Sequence, residues 1–404
     1  MLSVEEARLR ILENLRPLGA ETVALSAGLG RVLADDLTAR LTHPPVAMSA
    51  MDGYALRAAD AAKVPTTLTV VGEAPAGGVF AGTVGAGQAV RIFTGGPLPR
   101  GADTVVIQED TDRDGDRVTI KEAAAAGDNI RDAGIDFKAG QTLLRRGRTL
   151  RVRDIALAAA ANHPWLTVGR RPRVAILATG DELVKPGDPL GPNQIISSNG
   201  PGLAAFVDAC GGEAVDLGIA PDDADALRAI ATRATGVDLL VTIGGASVGD
   251  RDLVQKVLGE VGLKVDFWKI AMKPGKPLIF GDFKGIPMIG LPGNPVSALV
   301  CSILYLRPAI LALQGSLDTT IPMAKAKLGR AVKANNFRED FLRATLTQDA
   351  QGEPIATPLP VQDSSMLSVL AGADCLVRRP PNATPCAAGE WVPIVPLGGG
   401  TIGI

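Results

Sequence analysis

The chain has 404 residues, of which 46% are hydrophobic and 21% are charged, and its formal net charge is −2. A chain of this length is expected to fold as two to four domains with separate cores. The balanced charge excludes general affinity for nucleic acid.

The first part of the chain predicts one short helix and then a β-rich region. Residues 3–16 form an amphipathic helix that starts at Ser3, with Glu6 at the reciprocal capping position. From about 21 to 170, runs rich in Val, Ile and Thr alternate with Gly and Pro turns, which indicates strands. The predicted strands are 68–71, 89–93, 104–108 and 117–120, and a helix is predicted at 153–162.

The pattern changes after the basic segment 170–173, where apolar strands begin to alternate with helices. Strands are predicted at 174–178, 214–219 and 239–243, and helices at 203–209, 222–235 and 252–261. This alternation is typical of a parallel, doubly wound sheet. The last 80 or so residues return to short strands and turns, which indicates a small β-barrel or sandwich.

Residues 290–297 (GLPGNPVS) lie between two apolar runs and predict a strand, a tight loop and a helix. Pro292 and Pro295 stiffen the loop, and its glycines allow close approach of a ligand. Asn294 or Ser297 is predicted to cap the helix, whose first N–H groups suit an anion. An ordinary strand-to-helix connection is the alternative. The prolines also argue against a membrane helix over 286–306.

Residues 245–249 (GASVG) fit the nucleophile elbow of serine hydrolases, with Ser247 as the nucleophile. That family needs a histidine downstream of the serine, whereas the two histidines, His43 and His163, both lie upstream. We therefore interpret the glycines as a strand-end loop that brings backbone N–H groups to a ligand. Asp250 and Asp252 follow it and are candidates for binding a hydrated cation.

Two histidines, and four cysteines without CxxC spacing, argue against histidine catalysis and zinc chemistry and suit a reducing cytoplasm. Carboxylates and lysines are the groups used for Mg²⁺ and phosphate. For each residue alone, a solvated turn or helix cap is the alternative. The candidates near strand ends or glycine turns are Asp52, Thr94, Asp136, Asp181, Glu182, Lys269, Lys273 and Lys276.

Seven segments, in order, resemble the MoeA-type molybdopterin molybdenumtransferases, a family that includes the gephyrin E domain. They are 44–55, 92–103, 129–136, 178–183, 243–252, 273–277 and 290–297. Relatives often carry an aromatic and an acidic residue where this chain has Val46, Ala47 and Met48. This departure leaves the main motif intact.

The resemblance implies an elongated homodimer with four domains. A central α/β pterin-binding domain would span 173–320, with an N-terminal helix (1–20) packed on it. A β-rich domain would span 46–140, a connecting domain 21–45 and 141–172, and a C-terminal β-barrel 321–404. The active cleft would form between the α/β domain of one subunit and the β-rich domain of the other.

The reaction that the resemblance implies is insertion of molybdate, as co-substrate, into adenylylated molybdopterin, with Mg²⁺-dependent pyrophosphate cleavage and AMP release. The implied catalytic residues are Asp52, Thr94, Asp136, Glu182, Asp252, Lys269 and Lys273. The implied substrate-binding residues are Asp222 (or Asp223), Ser247, Lys276, Pro292, Pro295, Arg343 and Ser365 (or Ser364). Asp52, Glu182 and Asp252 are the candidate metal ligands.

The implied partners are a second copy of the chain and, transiently, a molybdopterin adenylyltransferase and maturation factors of molybdoenzymes. The implied location is the cytoplasm, and neither nucleic acid nor a membrane is an expected partner. One alternative is the preceding step, adenylylation of molybdopterin by ATP, because the α/β domain resembles that enzyme too. A second alternative is a receptor-clustering scaffold. The chain has no long linker or second folded unit for lattice building, and this weighs against scaffolding.

Overall fold

The structure is a computed structural model that describes residues 1–231, 233–244 and 253–398. The chain begins with helix α1 (Val4–Glu13). The Ser3 hydroxyl accepts a hydrogen bond from the Glu6 N–H at 3.2 Å, and the Glu6 carboxylate accepts from the Ser3 N–H at 2.8 Å. The predicted reciprocal cap is therefore confirmed. The apolar face of α1 is buried in the core of the later α/β unit.

A β-rich unit is built mainly from the strands between residues 48 and 131. The first ten strands of the chain are β1 (Ala20–Ala24), β2 (Leu37–Thr38), β3 (Met48–Ser49), β4 (Gly53–Leu56), β5 (Thr66–Ala74), β6 (Gln88–Ile92), β7 (Thr104–Ile107), β8 (Thr111–Asp114), β9 (Arg117–Ile120) and β10 (Ile130–Arg131). Six of them form one sheet in the order β7-β4-β6-β5-β9-β8. All four strands predicted here are present, with ends that differ by up to three residues.

A connecting unit is formed by segments on both sides of the β-rich unit. After β10 the chain forms β11 (Thr142–Leu144), α2 (Val152–Ala160) and β12 (Trp165–Gly169). β1 pairs antiparallel with β12, and β2 pairs antiparallel with β11. The segments before and after the β-rich unit therefore lie side by side. A separate core that includes Leu33, Phe137 and Leu166 holds the two segments together.

The α/β unit contains a six-stranded sheet with helices on both faces. Its elements are β13 (Arg173–Thr179), β14 (Leu183–Val184), β15 (Ile195–Ile196), α3 (Asn199–Ala209), β16 (Glu213–Ala220), α4 (Ala224–Ala231), β17 (Leu239–Ile243), α5 (Leu253–Glu260), β18 (Leu263–Trp268), β19 (Met272–Lys273), β20 (Ile279–Phe283), β21 (Ile286–Leu291), α6 (Pro295–Cys301) and α7 (Arg307–Leu313). One core lies under α1, α3, α6 and α7, and a second under α4 and α5.

The sheet order is β16-β13-β17-β21-β20-β18, and its first four strands are parallel, as predicted. β20 pairs antiparallel with β21, and β18 antiparallel with β20. These two strands were missed by the sequence interpretation, so the sheet is mixed. The turn between β20 and β21 carries Lys284 and Gly285, both with positive φ, which is the backbone of a tight hairpin. Because β18 runs in the same direction as β21, both end at the same edge of the sheet.

Helices α6 and α7 are joined by a π-helical turn, Ser302–Leu306, into one helical stretch. Among the described residues this stretch, Pro295–Leu313, passes a length-and-composition test for a membrane span, but 83% of its apolar window is buried inside the protein. The core helix of a soluble protein passes the same test. The stretch therefore serves here as the central helix of the larger α/β core.

The C-terminal unit is a small barrel. Its elements are β22 (Ala324–Leu328), β23 (Glu339–Gln348), β24 (Pro354–Pro358), α8 (Leu367–Ala371), β25 (Cys375–Arg379) and β26 (Trp391–Pro396). The order β23-β24-β22-β26-β25 is closed by pairing of β23 with β25. The short strand β19 of the α/β unit adds to the outside, because Lys273 pairs with Asp340 of β23.

The predicted fold class is confirmed: a central doubly wound α/β unit, a β-rich unit, a connecting unit and a C-terminal β-barrel. The exact domain limits stay predictions.

Candidate active site

A cleft of about 1010 Å³ opens at the carboxyl edge of the sheet, between the α/β unit and the C-terminal barrel. Ligand sites of open α/β sheets occur at this edge. The walls come from the turns after β13 and β21, from β15, from residues 272–277 and from residues 362–365. Seven predicted site residues line the cleft together: Glu182, Asp222, Lys273, Lys276, Pro292, Pro295 and Ser365.

The other predicted site residues lie elsewhere. Asp52, Thr94 and Asp136 belong to the β-rich unit and do not line this cleft. Lys269 lies just beyond the end of β18, and Arg343 lies inside the barrel wall, so neither contributes to the lining. Ser247, Asp250 and Asp252 fall outside the described residues.

The loop before α6 is fixed by the C-terminal barrel and not by its own cap. Asn294 occupies the N-cap position, but its side-chain amide donates to the Ser364 hydroxyl at 2.8 Å. The Val296 N–H donates to the Ser364 carbonyl at 3.1 Å. No side chain caps the helix. The prediction that Asn294 or Ser297 caps α6 is therefore wrong, because a residue 70 positions away satisfies the helix start.

The turn after β13 presents Glu182 to the cleft. Gly180 has φ of 146°, and a Cβ there would lie 2.5 Å from a carboxylate oxygen of Glu182. Only glycine leaves room for the carboxylate over this turn. Asp181 accepts a hydrogen bond from the N–H of Asp222 at 2.9 Å and so ties two cleft turns together.

Asp222, and not Asp223, lines the cleft. The Asp223 carboxylate accepts from the N–H of Ala226 at 2.8 Å, at the start of α4. Asp223 therefore holds the start of helix α4, whereas Asp222 lies among the residues that line the cleft.

Arg343 supports the cleft loop 362–365 from behind. Its side chain is 1% exposed and donates to the Asp363 carbonyl at 3.1 Å, while its Nε has no hydrogen-bond partner. Burial lowers the pKa of this guanidinium. The Asp363 carboxylate accepts from both the hydroxyl and the N–H of Ser365, at 2.6 and 2.8 Å, and these bonds lower its pKa. Arg343 therefore reaches the cleft only through this loop.

The cleft offers three cations among its described lining residues: Lys273, Lys276 and Arg338. Sequence reasoning missed Arg338, which lies in a polar turn before β23, where charged residues are usually solvated. It also missed Asn199, whose amide donates to the Gly293 carbonyl at 2.6 Å. Such residues carry no motif of their own, because their place at the cleft depends on tertiary packing.

In the β-rich unit, Asp52 and Thr94 form a defined pair. Oδ1 of Asp52 accepts from the Thr94 N–H at 2.7 Å and from its hydroxyl at 2.8 Å. These two hydrogen bonds hold the pKa of Asp52 below its usual range, and the bond from the Thr94 N–H has the larger effect. The charge of Arg91 lowers the pKa by a smaller amount. The carboxylate is therefore ionised at neutral pH. Among the described residues, its Oδ2 makes no hydrogen bond or ion pair.

The two candidate metal ligands that the structure describes, Asp52 and Glu182, belong to different units. Across the described ranges, no three His, Cys, Asp or Glu side chains gather as a metal-binding group. The third candidate, Asp252, is outside those ranges.

Asp340, next to Lys273 across the β19–β23 pair, gives a stability prediction. Its Oδ1 is buried without a hydrogen-bond partner, and burial raises its pKa although Lys273, Arg338 and Arg379 act against the shift. A raised folded-state pKa favours folding below the unfolded pKa, and this contribution is lost as pH rises through the folded value. Asp340→Asn should therefore raise the Tm at pH 7 by about 2 °C, with no difference near pH 3.

The matched control for this prediction is Asp349→Asn in the same barrel. The Asp349 carboxylate accepts from the backbone of Glu353 and Gln351 and pairs with Lys327, and these contacts lower its pKa. Its contribution is present above the unfolded pKa and is lost on acidification, so the control should lower the Tm at pH 7. Calorimetry of both variants at pH 3 and 7 gives the Tm values. If the two substitutions changed the Tm at pH 7 in the same direction, the prediction would be contradicted.

Comparison with known proteins covers nearly the whole chain. Residues 2–162 match the MoeA N-terminal region (domain I and II), 175–312 a probable molybdopterin binding domain, and 325–397 the MoeA C-terminal region (domain IV). Two structures of molybdopterin biosynthesis MoeA proteins from Pyrococcus horikoshii superpose with TM-scores of 0.83 and 0.81, at 33% and 28% identity. They cover 99% and 98% of this chain, and 100% and 99% of their own lengths.

Sequence relatives agree with the structures. The chain is 35% identical to the molybdopterin molybdenumtransferase of Haemophilus influenzae, over 98% of this chain and 99% of the relative. It is 38% identical to molybdopterin molybdenumtransferase 2 of Mycobacterium tuberculosis, with the same coverage. Three domain matches in family order and full-length identity above 30% show that this chain belongs to the MoeA family of molybdopterin molybdenumtransferases.

Proposed function

We propose that this chain inserts molybdate into adenylylated molybdopterin, with Mg²⁺-dependent cleavage of the pyrophosphate and release of AMP. The observation that carries the proposal is the cleft at the carboxyl edge of the sheet, whose lining combines three cations with two carboxylates: Lys273, Lys276, Arg338, Glu182 and Asp222. Molybdate and pyrophosphate are anions, so a site for them must supply positive charge and also oxygen ligands for a cation.

The cations act by neutralising oxygen atoms of the phosphate or of molybdate. Lys273 is exposed in the cleft, and Lys276 is half-buried on the same segment. Pro292 and Pro295 form a stiff wall that holds the pterin-phosphate end of the substrate in place. Asp222 suits the amide-like edge of the pterin ring, which donates hydrogen bonds to a carboxylate.

We infer that a second copy of the chain completes the cleft. Asp52, Thr94 and Asp136 do not line their own cleft, although the Asp52 carboxylate is held ionised. Apolar side chains beside them face solvent in the single chain, with Met51 43% and Ile135 65% exposed. A homodimer that presents this face to the cleft of its partner covers these side chains and brings the carboxylates to the lysines.

The carboxylates fit Mg²⁺ by their chemistry, because Mg²⁺ prefers oxygen ligands and keeps several waters. Asp52 through Oδ2, and Glu182 from the cleft, would hold the ion, with Asp252 as a further predicted ligand. When bound, Mg²⁺ neutralises phosphate charge and polarises the phosphorus–oxygen bonds. The reaction belongs in the cytoplasm, with transient contacts to the adenylyltransferase that supplies the substrate and to molybdoenzyme maturation factors.

The direct test is to mix the purified protein with adenylylated molybdopterin, Mg²⁺ and molybdate and to measure AMP. Release that depends on molybdate supports the proposal. Release that does not depend on molybdate contradicts it. ATP consumption with molybdopterin and no added molybdate favours the adenylylation step instead.

Lys273→Met should lower kcat/KM for adenylylated molybdopterin by about a hundredfold, because one charge-assisted contact to the phosphate is lost in a partly desolvated site. The matched control is Lys327→Met. Lys327 is a barrel lysine that pairs with Asp349 away from the cleft, and its loss should change the rate less than twofold. Both variants are compared by steady-state AMP release. If the two substitutions lowered kcat/KM equally, Lys273 would have no specific role at the site.

A further inference from the structure

Lys269 has an unusual backbone conformation. Among the described residues, the positive-φ residues other than glycine are four asparagines, Lys284 and Lys269. Lys284 is explained by the β20–β21 hairpin, whereas Lys269, with φ of 74°, directly follows strand β18. A lysine in this region is strained, and such strain persists only where surrounding contacts impose it.

The surrounding contacts are hydrogen bonds of the segment that forms one wall of the cleft. The Lys269 N–H donates to the Leu278 carbonyl at 3.1 Å, and the Ile270 N–H to the Lys276 carbonyl at 3.0 Å. Ile270 is fully buried, and the Ala271 N–H donates to the Leu2 carbonyl at 2.8 Å. Since β18 ends at the carboxyl edge shared with β21, Lys269 is held at this edge, next to the segment 272–277 that lines the cleft.

The side chain of Lys269 lies on the ring of Trp268. Its Nζ is 3.6 Å from the ring centroid, and the ring is 36% exposed. Across the described ranges, no carboxylate lies within ion-pair distance of Lys269. An aromatic face attracts an ammonium group without cancelling its charge. A carboxylate in the same place would neutralise the ammonium and compete with an anionic substrate.

We propose that Trp268 is a positioning residue. Its indole face holds the charged Lys269 ammonium group near the cleft, and from there the ammonium group can move onto a phosphate or molybdate oxygen. Transfer is favourable because a charge-assisted contact to an anion is stronger than a partly exposed cation–π contact. This inference rests on the proposed function insofar as the receiving anion belongs to adenylylated molybdopterin or molybdate.

The activity test compares Trp268→Leu, Trp268→Phe, Lys269→Met and the Trp268→Leu/Lys269→Met double variant. Trp268→Leu should lower kcat/KM about fivefold, mainly through KM, and Trp268→Phe should restore most of it because an aromatic face remains. In the Lys269→Met background Trp268→Leu should have no further effect. Trp391→Leu is the matched control, because Lys327 Nζ lies 5.8 Å from its ring, far from the cleft. The proposal would be overturned if Trp268→Leu lowered kcat/KM as much in the Lys269→Met background as in the wild type. It would also be overturned if Trp268→Leu had no effect in the wild type.

A fluorescence test examines the contact without any substrate. Trp165→Phe/Trp391→Phe leaves Trp268 as the single tryptophan of the chain. Lys269→Met in that protein should raise the emission intensity, because an ammonium on the ring quenches indole, whereas Lys276→Met should not. Unchanged emission with Lys269→Met contradicts the contact. If the wild-type protein released no AMP, the proposed function would fail, while this measurement would still decide whether Trp268 holds Lys269.

Discussion

Asp52→Asn is expected to lower molybdate-dependent AMP release by about a thousandfold and to leave the Tm within about 2 °C of wild type. The loss follows from the charge: the hydrogen bonds from Thr94 lower the pKa of Asp52, and within the described ranges no hydrogen bond or ion pair is made by its second oxygen. Asparagine keeps an oxygen that accepts from the Thr94 N–H but removes the charge that a cation needs. The fold should therefore survive while turnover is lost.

Asp128→Asn in the same unit is the control for this change. The Asp128 carboxylate is exposed and accepts only a local hydrogen bond, from the N–H of Ala125 at 2.7 Å. Its replacement should leave AMP release within twofold of wild type. A large fall of the Tm in Asp52→Asn would instead mark Asp52 as a structural residue.

Mixed dimers test whether two subunits share one cleft. Asp52→Asn and Lys273→Met subunits, each strongly impaired alone, should regain about a quarter of wild-type activity when equal amounts are unfolded together and refolded. The reason is that about half of the dimers are mixed, and each mixed dimer then has one cleft with both residues intact. No recovery would show that Asp52 and Lys273 do not act across the subunit boundary.

Gly53→Ala is expected to cost more than about 3 kcal/mol of folding free energy and to abolish soluble expression. Gly53 begins β4, which pairs with β6 on one side and β7 on the other. A Cβ at Gly53 would lie 2.0 Å from the backbone oxygen of Val106. β4 is paired on both sides and β7 is the edge strand, so the clash is relieved only if β7 moves away and the hydrogen bonds between β4 and β7 break.

Gly19→Ala is the matched control, because no atom lies within 4 Å of a Cβ built there. Urea unfolding, together with the soluble yield, measures the two variants. A soluble Gly53→Ala protein with wild-type stability would show that β4 and β7 are not paired as described. The glycine next to Asp52 is therefore required by the packing of the sheet.

The main elements could be predicted from the sequence because their signals are local. Apolar runs bounded by glycine and proline located β9 (Arg117–Ile120) and β17 (Leu239–Ile243) to the residue. The reciprocal cap at Ser3 and Glu6 needs only four consecutive residues. Seven cleft residues were also predicted, mostly because each belongs to a motif that the family resemblance identifies.

What the sequence did not predict depends on partners far along the chain. Strands β18 and β20, which flank the lysine-rich segment, were not predicted. Asn294 had the composition of a helix cap, but its side chain bonds to Ser364 because the barrel loop lies within reach. Arg343 resembled an anion-binding residue, whereas burial turns its guanidinium toward a carbonyl of its own loop. In each case the partner is set by tertiary packing, and for Asn294 that packing lies between two units.

The pairing of β19 with β23 has a consequence for chimeras of this family. Lys273 is encoded within the α/β unit, yet its backbone is the sixth strand on the outside of the barrel. A barrel taken from a relative would bring its own β23, and with it a new position for the lysine. The barrel therefore fixes the position of a segment that lines the cleft, so the barrel and this segment must be exchanged together.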